Sequence, residues 1–474
     1  MSSTRHLPLS PPEIQSAVAV EQQTRQAREA VGKRLDRIRH KAATGCSTRA
    51  LCDLHLRSRG SRLVALSDAR KALTRSVNRS RRRQRLPPIS SSNIANDQLL
   101  LRMVEEFDLW TPCREPAFSS YVDKADGGRR EVINFGLMNR ARQLLLKMVL
   151  DALSFESSGQ YTRKGRRVAC ADLKRALLDG NFKWVVLADV QNHFGSISLE
   201  QIASLGLLTP GVLPNLMLEA YNIVPRRGSS RSRRPLVNGG SRGIPQGSSV
   251  SPIVASLTLK PLVQAVEGEC RFLCNYADNF LALADTRREA DMIQNTLSEA
   301  ARHRCVSHLD LHHLQIKRLD HGFEFLGYHF TKRRGRVRVR PLSKSIDEFN
   351  YICRLLIALD RPIEDVRIYV NGWCSQFDLA DDVEVMRDHA IRQASIRQRL
   401  PDGLRRIACT ADLLQIFKQY DRKKLRAAQR FPRDRALQSY RAGTFAERLA
   451  GWLQTQLGTD GIASVREVHD TLAS

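Results

Sequence analysis

The chain lacks any long uncharged run of apolar residues, although 42% of its 474 residues are hydrophobic. A helix that crosses a lipid bilayer needs about 20 consecutive apolar residues, so the sequence predicts neither a membrane helix nor a membrane partner. Residues 1–8 also lack the apolar core of a secretory signal peptide. We therefore expect a cytoplasmic protein, and its length allows two or three domains with buried cores.

Acidic residues are scarce relative to basic ones. The 49 Asp and Glu residues oppose 76 Lys and Arg residues, which gives a formal net charge of +27. An imbalance of this size usually indicates a polyanionic partner, most often nucleic acid. Such binding should weaken steeply as salt rises, because each neutralised phosphate releases counterions. A basic protein without this kind of partner is the alternative.

The ten cysteines follow no repeating frame, which argues against a disulfide scaffold and favours reduced thiols. Two groups of residues raise the question of a metal site. They are Cys270 with Cys274, and His303, Cys305, His308, His312 and His313. Neither group has the paired short spacing of a structural zinc site, so we expect no structural zinc.

Changes in composition divide the chain into four predicted regions. Residues 1–95 form a basic helical extension with an arginine run at 79–85, and residues 96–335 mix helices with strands. Residues 336–400 open with a short basic strand and continue with helical periodicity, and residues 401–474 form a second basic helical extension. The arginine run is either a phosphate-binding strip or a solvated tail, and the net charge favours the strip.

Two aspartates end apolar stretches that are typical of buried strands. Asp189 lies near the end of 182–190, and Asp278 lies in the tight turn of 274–280, a segment that has the pattern of a strand, a turn and a second strand. Carboxylates from separate strands can hold the two divalent cations needed for phosphoryl transfer to a nucleotide. Taken alone, either aspartate could equally be a turn cap or a surface charge.

Four motifs follow one another along the chain. They are Ala-Asp-Val at 188–190, Gly-Ile-Pro-Gln-Gly at 243–247, Tyr-Ala-Asp-Asn at 276–279 and Phe-Leu-Gly-Tyr at 325–328. In this order they resemble the palm of a reverse transcriptase, with most likeness to the bacterial retron, group II intron-type and phage-defence groups. The resemblance covers roughly residues 120–380. It implies an α+β fold: a right-hand polymerase with fingers, a palm built on an antiparallel sheet, a helical thumb and basic helical extensions.

The resemblance also assigns the catalytic residues. Asp189 and Asp278 would bind Mg²⁺ through their carboxylates, and Val190 through its backbone carbonyl. The usual turn of the family is Tyr-Ala-Asp-Asp, so Asn279 stands where the second aspartate belongs. Asn279 keeps an oxygen donor but removes one negative charge, which makes Mn²⁺ an alternative cofactor. A fold that has lost catalysis is the competing interpretation.

A set of nucleotide-binding residues follows from the same resemblance. Phe194 would be the steric gate that rejects a 2′-hydroxyl and so selects deoxynucleotides; a core phenylalanine is the alternative. Gln246 and Gly247 would approach the incoming nucleotide, since glycine allows close backbone contact. Arg130 lies in a segment that resembles the triphosphate-contacting fingers motif.

Two further assignments complete the nucleotide site. Gly127 and Gly128 belong to the same fingers motif as Arg130. Lys317, or alternatively His313, would protonate the leaving pyrophosphate. The segment 161–166 loosely resembles a second fingers motif.

Nucleic-acid contacts are expected at three other places. Gly327 lies in a hairpin that resembles a primer grip, and Trp373 lies where a thumb helix would begin. A Gly/Ser-rich loop before the Gly-Ile-Pro-Gln-Gly motif would suit a template backbone or a structured RNA. Its arginines are Arg226, Arg227, Arg231, Arg233 and Arg234. A disordered, solvated loop is the alternative.

The resemblance implies an RNA-directed DNA polymerase that takes dNTPs and an RNA template and yields a DNA product. No endonuclease or ribonuclease H-like segment is recognisable, which favours a stand-alone bacterial enzyme of retron or antiphage-defence type. The template could be a dedicated non-coding RNA, and a partner protein or a homo-oligomer stays open. The alternatives are a template-independent or protein-primed DNA polymerase, and a catalytically inactive maturase-like RNA-binding protein.

Overall fold

The computed structural model describes residues 11–83, 86–123, 129–153, 157–225, 243–303, 305, 309–430, 443–444, 447–449 and 451–452. The chain divides into two compact units, Met1–Arg318 and Leu319–Ser474. The four regions expected from composition are a finer division and stay a prediction. Among the described residues, none of the helices is both long enough and apolar enough to cross a bilayer.

The first unit is built from eleven α-helices and seven strands among its described residues. The helices are α1 (Pro11–Ala43), α2 (Arg49–Arg57), α3 (Arg59–Arg83), α4 (Asp97–Glu106), α5 (Leu137–Leu153), α6 (Arg166–Asp179), α7 (His193–Ser196), α8 (Leu199–Ser204), α9 (Ser251–Thr258), α10 (Lys260–Glu267) and α11 (Arg287–His303). The strands are β1 (Cys113–Asp123), β2 (Arg129–Asn134), β3 (Trp184–Val190), β4 (Tyr221–Pro225), β5 (Phe272–Tyr276), β6 (Asn279–Ala284) and β7 (Leu311–Arg318).

A four-stranded sheet in the order β5-β6-β3-β7 occupies the part of the chain where a palm was expected. All three of its strand pairs are antiparallel. Val186 and Phe280 of this sheet share an apolar core with Val263 of α10 and Ile293 of α11. Helices on one side of an antiparallel sheet define the α+β class, which confirms the predicted fold class.

A second, three-stranded sheet has the order β2-β1-β4. The N-terminal helices do not stand apart from the rest of this unit. Ile38 of α1, Leu56 of α2 and Leu66 of α3 belong to the same apolar core as Leu145 of α5 and Val254 of α9. The basic extension is therefore anchored to the unit that carries both aspartates.

The segment from Ser251 to Glu267 forms two helices. Helix α9 ends at Thr258 and α10 begins at Lys260, because Pro261 has no N–H with which to continue the first helix. Ser251 is the first residue of α9 and does not cap it. Its hydroxyl donates instead to the carbonyl of Pro245, at 2.9 Å.

The second unit combines a small sheet with four helices among its described residues. The sheet has the order β10-β9-β8. The elements are β8 (Phe323–Phe325), β9 (Tyr328–Arg333), β10 (Arg336–Pro341), α12 (Ser343–Ala358), α13 (Ile363–Gln376), α14 (Val383–Gln398) and α15 (Asp402–Arg430). The basic face predicted for β10 is partly neutralised, because Arg338 and Arg340 lie 3.8 and 2.8 Å from the Asp382 carboxylate.

Candidate active site

The register of the four-stranded sheet brings the two predicted metal-binding aspartates together. Asp189 of β3 pairs with Asn279 of β6, and Asp278 is the residue just before Asn279. The backbone N–H of Val190 donates to the carbonyl of Asp278 at 3.0 Å. Carboxylates separated by almost ninety positions in sequence therefore become neighbours at one end of the sheet.

The pKa of Asp189 is shifted by its burial and by the charged groups around it. The pKa of Asp189 is raised to about 6, chiefly by burial and also by the negative charge of Asp278, while His313 and His312 act in the opposite direction. Two carboxylates held side by side in a half-buried site repel each other unless a cation lies between them.

The donor set fits hard divalent cations. Carboxylate oxygens of Asp189 and Asp278, together with a backbone carbonyl, are the ligands that Mg²⁺ and Mn²⁺ prefer. Among the described residues no group of three or more His, Cys, Asp or Glu side chains could hold a metal. Any metal at the Asp189–Asp278 pair would therefore complete its coordination with backbone, water or substrate oxygens.

Asn279 is held against the second aspartate. Its side-chain N–H donates to Oδ1 of Asp278 at 2.8 Å. An amide at this position stabilises the ionised carboxylate, whereas the aspartate usual in the family would add a third negative charge. Asn279 thus holds Asp278 in place through a hydrogen bond. An ionised carboxylate at position 279 has no hydrogen to donate, and only a shared metal ion could link it to Asp278.

The Gly-Ile-Pro-Gln-Gly segment joins α7 to β2. The Ile244 N–H donates to the Phe194 carbonyl at 2.8 Å, and the Gln246 carbonyl accepts from the Ile133 N–H at 2.7 Å. Gly247 has φ of +109°, and a Cβ there would lie 2.4 Å from the Ile133 carbonyl oxygen. Only glycine therefore allows this contact.

These contacts gather the predicted nucleotide-binding residues. Arg130 lies exposed on β2, the strand that Gln246 and Gly247 contact. Phe194 lies on α7, which begins three residues after Val190. Gln246 also has a buried Oε1 that makes no hydrogen bond with any described residue.

Phe194 is half-buried and packs against the apolar core of the first unit. Its ring meets the buried ring of His193 edge-on, with 6.2 Å between centroids. Part of the ring is exposed, so a steric-gate role and a packing role are compatible. The gate stays a prediction.

Lys317 lies away from the two aspartates. It pairs with Val185, at the opposite end of β3, whereas His312 pairs with Asp189 itself. A register shift between these pairs leaves His313 in the left-handed region with φ of +50°, and the two histidine rings meet at 3.9 Å. Of the two residues proposed as proton donor, His313 is the one that the sheet brings to Asp189.

The two expected nucleic-acid contacts of the second unit differ in exposure. Gly327 has φ of +85° and follows Leu326 in the turn between β8 and β9. Trp373 is only 9% exposed. Its ring packs at 4.3 Å from that of Phe349 and 4.7 Å from that of Phe377. Trp373 is therefore a core residue of the second unit, because the helical face that carries it turns inward.

Several predicted contacts lie outside the described residues. These are Gly127, Gly128 and the loop arginines Arg226, Arg227, Arg231, Arg233 and Arg234.

Sequence reasoning assigned no role to Asn275 or Thr162. Asn275 is completely buried, and Thr162 accepts a hydrogen bond from the Ala277 N–H at 3.1 Å. The one available signal was a polar residue inside an otherwise apolar strand, directly before the Tyr-Ala-Asp-Asn turn. His312 was noticed only within a histidine- and cysteine-containing group considered for zinc.

Comparisons with known proteins find a related family for part of the chain. Residues 122–330 match the family model described as reverse transcriptase (RNA-dependent DNA polymerase). The matched stretch contains both aspartates and the Gly-Ile-Pro-Gln-Gly segment.

Two particular proteins are similar to this chain. One, from Schizosaccharomyces pombe (strain 972), is described as an uncharacterized 91 kDa protein in cob intron. It is 28% identical over 172 residues, which cover 34% of this chain and 20% of that protein. The other is the structure of apo telomerase from Candida tropicalis truncated from its C-terminal domain, at 12% identity and a TM-score of 0.33. That likeness covers 48% of this chain and 56% of the telomerase chain.

Proposed function

We propose that this protein extends a DNA strand from deoxynucleotides on an RNA template. The observation that carries the proposal is the pairing of Asp189 with the Asp278 turn across two antiparallel strands. Divalent cations bound there, Mg²⁺ or Mn²⁺, would activate the attacking 3′-hydroxyl and neutralise the triphosphate. Asp189 and Asp278 supply the charge that holds these cations.

The other residues of the site orient the nucleotide. Arg130 is exposed on β2 and offers a planar cation that suits a phosphate. Gln246, which is half-buried, would hydrogen-bond to the base or sugar through its carboxamide. His313, next to Asp189, is the candidate donor of a proton to the departing pyrophosphate.

Helix α3 supports a nucleic-acid partner. Lys71, Arg75, Arg79 and Arg82 are exposed and follow one another at intervals of four, four and three residues, which places them on one face of the helix. The same face carries one carboxylate, that of Asp68, and Arg28 of α1 pairs with it. The four cations form no ion pair with described residues, so they are available to phosphates. We call them the α3 basic stripe.

The finer assignment is a stand-alone bacterial enzyme of retron or antiphage-defence type. Its support is the likeness of the four motifs to those groups. Expression of the wild-type protein and of Asp189→Ala in a phage-challenged bacterium tests this assignment. Protection by the wild type alone supports a catalytic defence role, and protection by both would favour an RNA-binding role.

The central experiment is extension by the purified protein with its co-purifying nucleic acid retained. Labelled deoxynucleotides are supplied with Mg²⁺ or Mn²⁺ in separate reactions, and Asp278→Ala is the control. We expect product from the wild type and none from the control, and sequencing of the product identifies its template. A product with no template sequence would indicate template-independent synthesis.

Absence of product with either metal, while RNA remains bound, would overturn the proposal. It would favour the inactive, maturase-like RNA-binding protein instead. The 28% identical relative is described as lying in an intron, which makes this the second candidate function. The substitution of Asn279 for the usual aspartate is the feature of this chain that favours it.

A further inference from the structure

The turn that carries Asp278 has a backbone that needs support. Ala277, the first of its two central residues, has φ of +53°. A residue with a Cβ is disfavoured in this left-handed region, and such conformations persist only where surrounding contacts hold them. Contacts with neighbouring residues must therefore stabilise this turn.

Asn275 holds the turn from inside the sheet. Its side-chain N–H group donates to the Ala277 carbonyl at 3.0 Å and to the Asn279 carbonyl at 3.2 Å. The side chain is 0% exposed, so water does not compete for these bonds. One carboxamide therefore bridges the carbonyls on both sides of Asp278.

Thr162 holds the turn from the other side. Its Oγ1 accepts the Ala277 N–H at 3.1 Å, across 115 residues of sequence. Val190 binds the Asp278 carbonyl from β3. Together with the Asn275 bonds, these contacts engage both backbone polar groups of Ala277 and the carbonyls of Asp278 and Asn279.

The segment that presents Thr162 is itself anchored. The Tyr161 N–H donates to the Asn275 carbonyl at 2.8 Å, and the Asn275 N–H donates to the Gly159 carbonyl at 2.7 Å. The buried Gln160 donates to the Ser256 carbonyl of α9 at 2.8 Å. Thr162 therefore projects from a segment that is held by hydrogen bonds to β5 and α9.

We propose that Thr162 and Asn275 are positioning residues that clamp the Asp278 turn in its metal-binding geometry before metal and nucleotide arrive. The proposal rests on the proposed function for the role of Asp278, and it adds residues outside the four motifs. Thr162 acts through the backbone of Ala277, and Asn275 acts through two carbonyls. Neither touches substrate.

Replacing Thr162 by Val or by Ser tests the clamp. Valine keeps the shape and removes the acceptor, whereas serine keeps the hydroxyl. The first readout is amide hydrogen exchange of residues 275–280 in the free protein, without nucleotide or template. We expect at least tenfold faster exchange at Ala277 in Thr162→Val, and wild-type exchange in Thr162→Ser.

The second readout is Mn²⁺ binding by electron paramagnetic resonance. We expect weaker binding, by about tenfold, in Thr162→Val and unchanged binding in Thr162→Ser, because outer contacts that orient metal ligands are typically worth ten- to a hundredfold in affinity. In extension assays Thr162→Val should need more metal and show a lower kcat at an unchanged KM for template.

Thr296→Val is the matched control. Thr296 lies on α11 and donates to Glu269 at 2.7 Å on the surface, so this variant loses a hydroxyl hydrogen bond away from the turn. It should match the wild type in all three measurements. Should Thr162→Val fail to fold, the comparison is made with Asn275→Ser, which should give the same faster exchange at residues 276–279.

Unchanged exchange and Mn²⁺ binding in Thr162→Val would overturn the clamp. The exchange experiment needs no polymerase activity, so the two proposals fail separately. Loss of protection at Ala277 in a protein that makes no DNA would support the clamp and overturn the proposed function.

Discussion

At the scale of single residues, the most consequential is Asn279. It donates to Asp278 and lies opposite Asp189 in the sheet, so it influences both carboxylates. A neutral amide allows the turn to keep its geometry without metal. It also leaves one fewer negative charge to attract the cation.

We expect Asn279→Asp to keep or raise polymerase activity at saturating Mg²⁺. The added carboxylate strengthens the attraction for a hard divalent cation. Single-turnover incorporation measured across a Mg²⁺ titration checks this. Asn279→Ala is the comparison, because alanine has neither the amide donor of the wild type nor the charge of the aspartate variant. A clear fall in Asn279→Asp would mean that the amide itself is required.

A second residue-scale prediction separates the two candidate proton donors. His313→Gln should lower the rate of the chemical step by at least about tenfold, since a positioned general acid typically contributes a hundredfold or more. Lys317→Gln should leave the rate near that of the wild type, because Lys317 pairs at the Val185 end of β3. Rapid-quench measurement of single-nucleotide incorporation distinguishes the two. A larger loss with Lys317→Gln would contradict the assignment.

At the scale of elements, the sheet and the N-terminal helices have different tasks. The antiparallel pairing of β3 with β6 and β7 brings Asp189, Asp278 and the two histidines to one end of the sheet. Helix α3 has its apolar face in the core and leaves its basic stripe exposed. Under the proposed function, the first arrangement would serve chemistry and the second would serve attachment to a polyanion.

We expect removal of the α3 basic stripe to weaken RNA binding and flatten its salt dependence. For single strands the slope of log affinity against log salt is about −0.7 per phosphate contact, so four lost contacts reduce its magnitude by about 3. The variant is Lys71→Gln with Arg75→Gln, Arg79→Gln and Arg82→Gln. Fluorescence anisotropy with a labelled single-stranded RNA over a range of KCl concentrations provides the measurement.

The control removes the same charges elsewhere in the first unit. It combines Arg102→Gln, Lys183→Gln, Arg288→Gln and Arg302→Gln, which are exposed positions. An effect of the bulk charge alone would lower affinity equally in both variants and would refute a specific stripe.

At the scale of the whole molecule, folding stability should depend on two buried histidines of the first unit. The pKa of His55 is lowered to about 4, chiefly by burial and also by the Arg34 charge, and burial alone lowers that of His193 to about 4. In the unfolded chain both histidines have the ordinary pKa of about 6.5. Below that pH these histidines are protonated in the unfolded state and stay neutral in the folded state. The free energy of unfolding therefore falls with pH until the pKa of the folded state is reached.

We therefore expect the denaturant midpoint of the first unit to fall as pH is lowered from about 6.5 towards 4. His55→Leu should show a smaller fall, because His55 is 0% exposed and neither of its ring nitrogens bonds to a described residue. Urea titrations followed by circular dichroism at pH 7 and pH 5 provide the comparison. An equal fall of the denaturant midpoint in the wild type and in His55→Leu would mean that groups other than His55 cause the pH dependence.

Much of the site could be predicted from sequence because its motifs are local. Three features of the site each depend on a short stretch of sequence. They are the glycine with φ of +109° at Gly247, the aspartate at the end of an apolar strand and the two-residue turn at Asp278. The α+β class followed from the same patterns. The division between α9 and α10 near Pro261 is local too, since proline acts on its own turn of helix.

Other features depended on partners that are distant in sequence. Trp373 has the periodicity of a helix face, yet only packing against Phe349 and Phe377 shows that this face turns inward. Lys317 seemed suitable by chemical type, and the strand register placed His313 next to Asp189 instead. A one-residue shift in register changes which side chains share a face.

By itself, the sequence determined which chemistry is available: two aspartates at strand ends, a glycine-rich approach to the nucleotide and a large excess of cations. These are properties of residue type and local backbone. The tertiary structure alone decided which of them meet, and it brought Thr162 to the Asp278 turn across 115 residues. The physical reason is that hydrogen bonds and charge interactions act over a few ångströms in space, whatever the separation along the chain.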